Sequence, residues 1–218
     1  MSVDGFAKDL ISLSLLLPWN IFVIYYVSRK VYDFVSRIKG HRVGVYISRK
    51  IIHMLSGGIT AIILPMAFTG PYLPSIAALG LAIAVYIPHK KGKLLYWFQV
   101  EDNLSEVYFA VIWGLAVLVM WFIDTYLAIV SISFMAFGDG ITGIVRILLY
   151  AKRTKSWIGN IAMAIVCIPL GYIYYGLVGA LAGLIASIIE HFEFVDDNLS
   201  VPIVSLIILS ISRALCLP

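Results

Sequence analysis

Stretches of apolar residues long enough to cross a bilayer follow one another through almost the whole chain, at about 9–28, 51–68, 73–88, 105–123, 125–150, 157–175, 177–190 and 200–217. Backbone inside hydrocarbon must satisfy its own hydrogen bonds, and an α-helix does so within one segment. The runs therefore predict an all-α, polytopic transmembrane helical bundle of about eight spans, several of them shorter than the roughly 20 residues that a perpendicular helical crossing needs. Composition closes off the soluble alternative: with 61% hydrophobic and 13% charged residues, 218 residues hold too little polar surface to coat a globule. The first run has no basic segment before it and no small-residue cleavage site after it, so 9–28 is expected to be a span and not a removed leader. Without repeats or low-complexity tracts, residues 1–218 are expected to form a single integral membrane domain.

Short connections order the spans. Thr69-Gly70-Pro71, Asp124 and Tyr174-Tyr175-Gly176 leave room only for tight hairpins, so consecutive helices run antiparallel. Charge then orients the bundle. Arg29, Lys30, Arg37, Lys39, Arg42, Arg49 and Lys50 lie between the first two runs, Lys90, Lys91 and Lys93 before the fourth, and Arg146, Lys152, Arg153 and Lys155 around the end of the fifth. These are fourteen of the 16 basic residues, all on one side. The positive-inside rule puts that side in the cytoplasm and both termini outside. The segment 29–50, alternating charged and apolar residues, is expected to lie as a helix along the interface. Cys167 and Cys216 sit in apolar runs without CxxC spacing and read as small buried hydrophobes.

Topology control does not explain the acids. Asp139 interrupts an apolar run between Gly138 and Gly140, where a charge costs roughly 2.5–3.5 kcal/mol and needs a partner, a cavity or a ligand. On the same side stand Glu101, Asp102, Asn103 and Glu106, with Glu106 inside the apolar pattern; then Lys155 and Ser156; then Glu190, Glu193, Asp196, Asp197 and Asn198. Arg49, Lys50 and His53 open the second run, Arg49 and His53 sharing a helical face. Their plainer reading is snorkelling anchors and a satisfied histidine, and for Glu101 and Asp102 it is a solvated loop. Four carboxylates within 190–197 suit a hard divalent cation such as Mg²⁺, with nearby lysines and arginines holding phosphate oxygens. The chain has no GxxxxGK[ST] loop, no zinc-binding histidine pair at helical spacing and no GxSxG. Nucleic acid is not an expected partner, because the membrane accounts for the basic residues.

The blocks Arg49-Lys50-Ile51-Ile52-His53, Gly138-Asp139-Gly140-Ile141-Thr142-Gly143, Lys155-Ser156-Trp157-Ile158-Gly159-Asn160 and Glu190 followed by Asp196-Asp197-Asn198-Leu199-Ser200-Val201-Pro202 resemble, in order and spacing, the dolichol kinase and phytol kinase family of membrane lipid kinases. The resemblance runs from about 49 to 202. It implies phosphorylation of an isoprenoid alcohol of polyprenol, dolichol, geranylgeraniol or phytol type by a nucleoside triphosphate, often CTP, with a divalent metal. On that similarity Asp139, Asp196 and Asp197 are expected metal or nucleotide-phosphate ligands, and Asp139, Glu190, Asp196 and Asp197 the candidates for the base. Arg49, Lys50, His53, Gly138, Gly140, Lys155, Ser156 and Asn198 are expected around the phosphates, with Glu106 and Arg146 behind them. The sequence departs from the family pattern at Gly143-Ile144-Val145-Arg146, which leaves the role of Arg146 open. A cytidylyltransferase that makes a CDP-lipid is the nearest alternative, and a membrane transporter using Asp139 and Glu190 as an ion relay a more distant one.

Overall fold

The computed structural model describes residues 3–152, 154–192 and 196–214, and among them the chain is helical with no strand. Six helices are long and apolar enough to cross a membrane: Val3–Lys39, His41–Ala67, Tyr72–Lys90, Ser105–Tyr150, Trp157–Ile189 and Asp197–Ala214. We label the first three α1, α2 and α3, and the last α8.

The fourth and fifth helices are each two helices joined at a break. At Asp124 the backbone is extended (φ −167°, ψ 115°), and its Oδ1 accepts a hydrogen bond of 2.9 Å from the Tyr126 amide, capping a new start. Phe109, before the break, stacks on His53 at 4.0 Å, and Asp139, after it, brings Oδ2 within 4.0 Å of His53 Nδ1. In a straight helix at 1.5 Å per residue, 109 and 139 would stand about 45 Å apart. The chain therefore doubles back, giving α4 (105–123) and α5 (125–150). The second reversal lies at Tyr175 and Gly176, whose φ of 54° suits glycine. Here α6 (157–174) and α7 (177–189) touch backbone to backbone: a methyl on Gly171 would overlap the Gly179 carbonyl, and one on Gly179 would overlap the Gly171 carbonyl. Both reversals coincide with expected hairpins.

α1 and α2 form the longest hairpin. It turns at Gly40 (φ 86°), and its arms stay in register from Gly44 against Ser36 to the 2.6 Å bond from Ser12 Oγ to the Ala67 carbonyl. The 29–50 segment is thus not a separate helix lying on the interface, as its charge alternation suggested. It continues α1 and α2 without a break, through π-helical turns at Val23–Val27 and His53–Gly58, and Val43 and Ile47 bury against Ile147 of α5. At 37 residues α1 is about 55 Å long, well over the ~30 Å hydrocarbon thickness, so the Gly40 end extends past the apolar layer.

α5 is the axis of the bundle. Residues 127–136 are all buried, an apolar stretch wrapped on every side by neighbouring helices. The surrounding helices leave Ile165, Ile173 and Leu177 open on the outside, as lipid-facing residues would be. At the end away from Gly40, Asp124 pairs with Arg213 and accepts a 3.0 Å bond from Tyr175 Oη, tying the two reversals to the end of α8. The opposite end collects Gly40, the connection 91–104 and, among the described residues, 151–152, 154–156 and 190–192.

Replacing Gly179 with Leu is expected to lower the thermal midpoint in detergent by the equivalent of about 1–3 kcal/mol or more. Gly80→Ala, where the added methyl meets nothing within 4 Å, is expected to leave it unchanged or raise it by up to about 1 kcal/mol.

Candidate active site

Two π-helical turns face each other across the Gly40 end of the bundle: His53–Gly58 in α2 and Phe134–Gly138 in α5. Such turns re-aim the side chains beside them and recur at functional sites. The first presents His53, and the second ends immediately before Asp139. From the preceding turn of α2, Lys50 reaches across to Asp139, Nζ to Oδ2 at 2.6 Å. Gly143 makes that reach possible, since a methyl there would lie 2.6 Å from Lys50 Cε and 2.9 Å from the Tyr46 ring. Gly140 faces Met54, and Gly138 faces Cys167 and Met163. The glycines flanking Asp139 therefore admit neighbouring helices, a packing use that explains them without a phosphate.

Three carboxylates, Asp139, Glu190 and Asp197, each place an oxygen within 4.8 Å of the others. They come from α5, the end of α7 and the start of α8. Asp139 is 3% exposed and Glu190 1%. Lys155 Nζ lies at 3.1 Å from Glu190 Oε1 and at 3.0 and 3.1 Å from the Asp197 oxygens, and donates a 2.5 Å bond to the Glu190 carbonyl. Arg146 donates to Glu190 Oε1 at 2.7 Å, to Asn160 Oδ1 at 2.7 Å and to the Ser156 carbonyl at 2.9 Å. Asn160 Nδ2 closes the ring, reaching Glu190 Oε2 at 3.1 Å and the Ser187 carbonyl at 2.5 Å. Gly159 leaves space for the Arg146 side chain, which a methyl would overlap. Three acids thus meet three bases, and buried charge is tolerated because every partner is present.

The remaining sequence candidates fall in distinct places. Arg49 donates to Asn103 Oδ1 at 3.1 Å and Ser105 Oγ at 3.0 Å, and stands 3.9 Å from Glu106 Oε2. Asp196 lies outside the carboxylate cluster: its Oδ1 accepts from the backbone and side-chain nitrogens of Asn198 at 2.9 and 2.8 Å, capping α8. Asn198 Nδ2 also donates to the Ser105 carbonyl at 3.3 Å, while its buried Oδ1 has no protein partner among the described residues. The Ser156 hydroxyl meets Tyr150 Oη at 3.0 Å. Glu106 pairs with His89 at 2.7 Å. Glu101 and Asp102 are exposed, as a solvated loop requires, and Cys167 is a buried free thiol. Glu193, Arg153 and Cys216 lie outside the described residues. Sequence reasoning missed His89, which only a long-range contact reveals, and gave Asn160 no role although it stands in the KSWIGN block.

Lys50, Asp139, Asp197, Asn198, Arg49 and Ser105 line a polar cleft of about 380 Å³, its open mouth included. Asp196 lines it too, and one lysine, one arginine and three aspartates on one cleft are groups whose chemistry suits a polyanion and a hard cation.

No family model and no solved structure matches the chain. Curated relatives do. A probable chloroplastic phytol kinase from Triticum aestivum is 27% identical over 74% of this chain and 66% of its own length, and one from Zea mays is 28% identical over 74% and 65%. A probable chloroplastic phytol kinase 2 from Glycine max is 30% identical over 74% and 64%. These similarities support a place for the chain in the polyprenol and phytol kinase family. It spans a little under two thirds of the length of these relatives.

Replacing Arg146 with Met leaves Glu190 buried with a lost partner, and a loss of about 3–5 kcal/mol is expected, read as a fall in the thermal midpoint in detergent. Arg146→Lys, which lacks the fork that serves Glu190, Asn160 and Ser156 together, is expected to recover only part of it.

Proposed function

We propose that this protein is a membrane lipid kinase that transfers the γ-phosphoryl group of a nucleoside triphosphate, with CTP as donor, to the hydroxyl of an isoprenoid alcohol. The observation that carries the reading is the meeting of Asp139, Glu190 and Asp197 with Lys50 and Lys155 in one cluster, beside a polar cleft at one end of an apolar bundle. The similarity to that family supports the alcohol as acceptor. We further read α1 to α8 as eight crossings, with the Gly40 end in the cytoplasm and both termini opposite; the fourteen basic residues in and beside the connections at that end support this orientation.

The donor set fits a hard cation, because carboxylate oxygens are what Mg²⁺ accepts. Bound by Asp139, Glu190 and Asp197, such an ion supplies charge neutralisation on the phosphate oxygens. Lys50 and Lys155, released from those carboxylates, contact phosphate. Arg49, fixed by Asn103 and Ser105, stands at the cleft wall for a further phosphate oxygen. Arg146 and Asn160 hold Glu190 in place from behind and face protein on every side. The chemistry is then positioning and charge neutralisation, as phosphoryl transfer requires.

Purified protein given donor labelled in the γ-phosphate, Mg²⁺ and geranylgeraniol or phytol is expected to yield labelled lipid phosphate and nucleoside diphosphate. Label reaching lipid only from the α-phosphate, with release of pyrophosphate, would replace the kinase by a cytidylyltransferase. Asp139→Asn is expected to lower turnover by about 10²–10³-fold, whereas Glu101→Gln, far from the cleft, is expected to change it less than about twofold.

A further inference from the structure

A second cavity, of about 790 Å³ with its opening included, lies between α1, α2, α3 and α4 beside the polar cleft. Its wall is hydrocarbon for most of its length, with Leu16, Phe68, Ala78, Leu81, Phe109 and Trp113 among the lining. The polar residues midway along it, Asn20, Ser56 and Thr60, bond to one another and to the Leu16 carbonyl, so they ask nothing of an occupant. The end nearest the carboxylates is different. There the wall is made by His53 and Glu106. His53 is 1% exposed and, among the described residues, neither of its ring nitrogens has a hydrogen-bond partner; Glu106 is 6% exposed and its Oε2 has none either, with the Arg49 guanidinium at 3.9 Å beyond hydrogen-bond distance. Buried polar atoms are almost always satisfied, so two orphaned groups at one end of an apolar cavity mark the place of a polar ligand atom. His53 also connects the two cavities, its ring facing Phe109 on one side and its Nδ1 standing 4.0 Å from Asp139 Oδ2 on the other.

One ligand satisfies both ends: a long hydrocarbon chain carrying a single hydroxyl. We propose that this cavity binds the chain of a short isoprenoid alcohol with its hydroxyl between His53 and Glu106, and that Glu106 is the base of the transfer. The inference rests on the kinase reading and adds to it the acceptor's site and size. From His53 to Phe68 the cavity follows α2 for about 20 Å at 1.5 Å per residue, a length for an alcohol of a few isoprene units. In the step itself the alcohol O–H donates to Glu106 Oε2 while its oxygen attacks the γ-phosphorus. The new O–P bond forms as the bond from that phosphorus to the β–γ bridging oxygen breaks, and the electron pair leaves on the nucleoside diphosphate. The proton taken by Glu106 stays on Oε2 until water removes it, while His89 Nε2–H, 2.7 Å from Oε1, donates to the carboxyl group and holds it in place.

The test is photolabelling of the full chain in lipid nanodiscs with a geranylgeraniol analogue carrying a diazirine at the end of its chain, together with two variants. Labelling is expected on the far cavity wall, within 64–78, and is expected to be competed by geranylgeraniol. Ala77→Trp, which fills the far part of the cavity, is expected to lower the kcat/KM ratio of geranylgeraniol to 3-methylbut-2-en-1-ol at least tenfold. Glu106→Gln is expected to cut kcat at least a hundredfold while photolabelling and nucleotide affinity persist. Label confined to outward residues such as Ile165 or Ile173, an unchanged long-to-short ratio in Ala77→Trp, or full kcat in Glu106→Gln would each overturn the proposal. Transfer to alcohols with label outside the cavity defeats this inference and leaves the kinase reading standing. Competed labelling in the cavity without transfer to any alcohol supports the binding site and defeats the kinase reading.

Discussion

Charge inside an apolar bundle is tolerated only in company, and that requirement organises this protein. Lys50 with Asp139, Lys155 with Glu190 and Asp197, and Arg146 with Glu190 bring α2, α5, α7, α8 and the connection before α6 to one point. Each pair joins residues 35 to 89 positions apart in the chain. Removing one member deprives a desolvated charge of a partner, so the network is a structural clasp as well as the candidate site. The same desolvation that makes each charge costly when alone makes it strong toward an incoming phosphate or cation.

The network depends on close helix approach, which small residues supply. Gly143 gives Lys50 its path to Asp139, and Gly159 gives Arg146 its path to Glu190. At the other end Gly171 and Gly179 let α6 and α7 meet at the backbone. In a bilayer, where no hydrophobic drive separates helix from lipid, this close packing is a main source of cohesion. Two π-helical turns then aim His53 and Asp139 at each other, so the polar cleft and the apolar cavity share one wall.

Much of this was legible in the residues. Asp139 stands out because an acid inside a long apolar run needs an explanation, and the single-residue and three-residue gaps at Asp124 and at 174–176 announce reversals that the backbone makes there. What stayed hidden has a common cause: sequence shows that a charge is costly but not which distant partner relieves it. Arg146 looks like one more basic residue beside a loop, yet it is 4% exposed and triply bonded. Asp196 and Asp197 are neighbours with the same chemistry, and only the start of α8 decides that one caps the helix while the other joins the cluster. The pairing of His89 with Glu106 depends on α3 lying beside α4, which no local pattern encodes. The charge alternation of 29–50 suggested an interfacial helix; it is instead part of the long hairpin, with Val43 and Ile47 buried against α5.

The most direct test of the central claim is to locate a bound cation: anomalous scattering from Mn²⁺ in crystals of the protein with a non-hydrolysable nucleoside triphosphate analogue. The account expects a peak flanked by Asp139, Glu190 and Asp197, with Lys50 and Lys155 turned to phosphate oxygens. A peak elsewhere in the bundle, or nucleotide bound away from these three carboxylates, would contradict it.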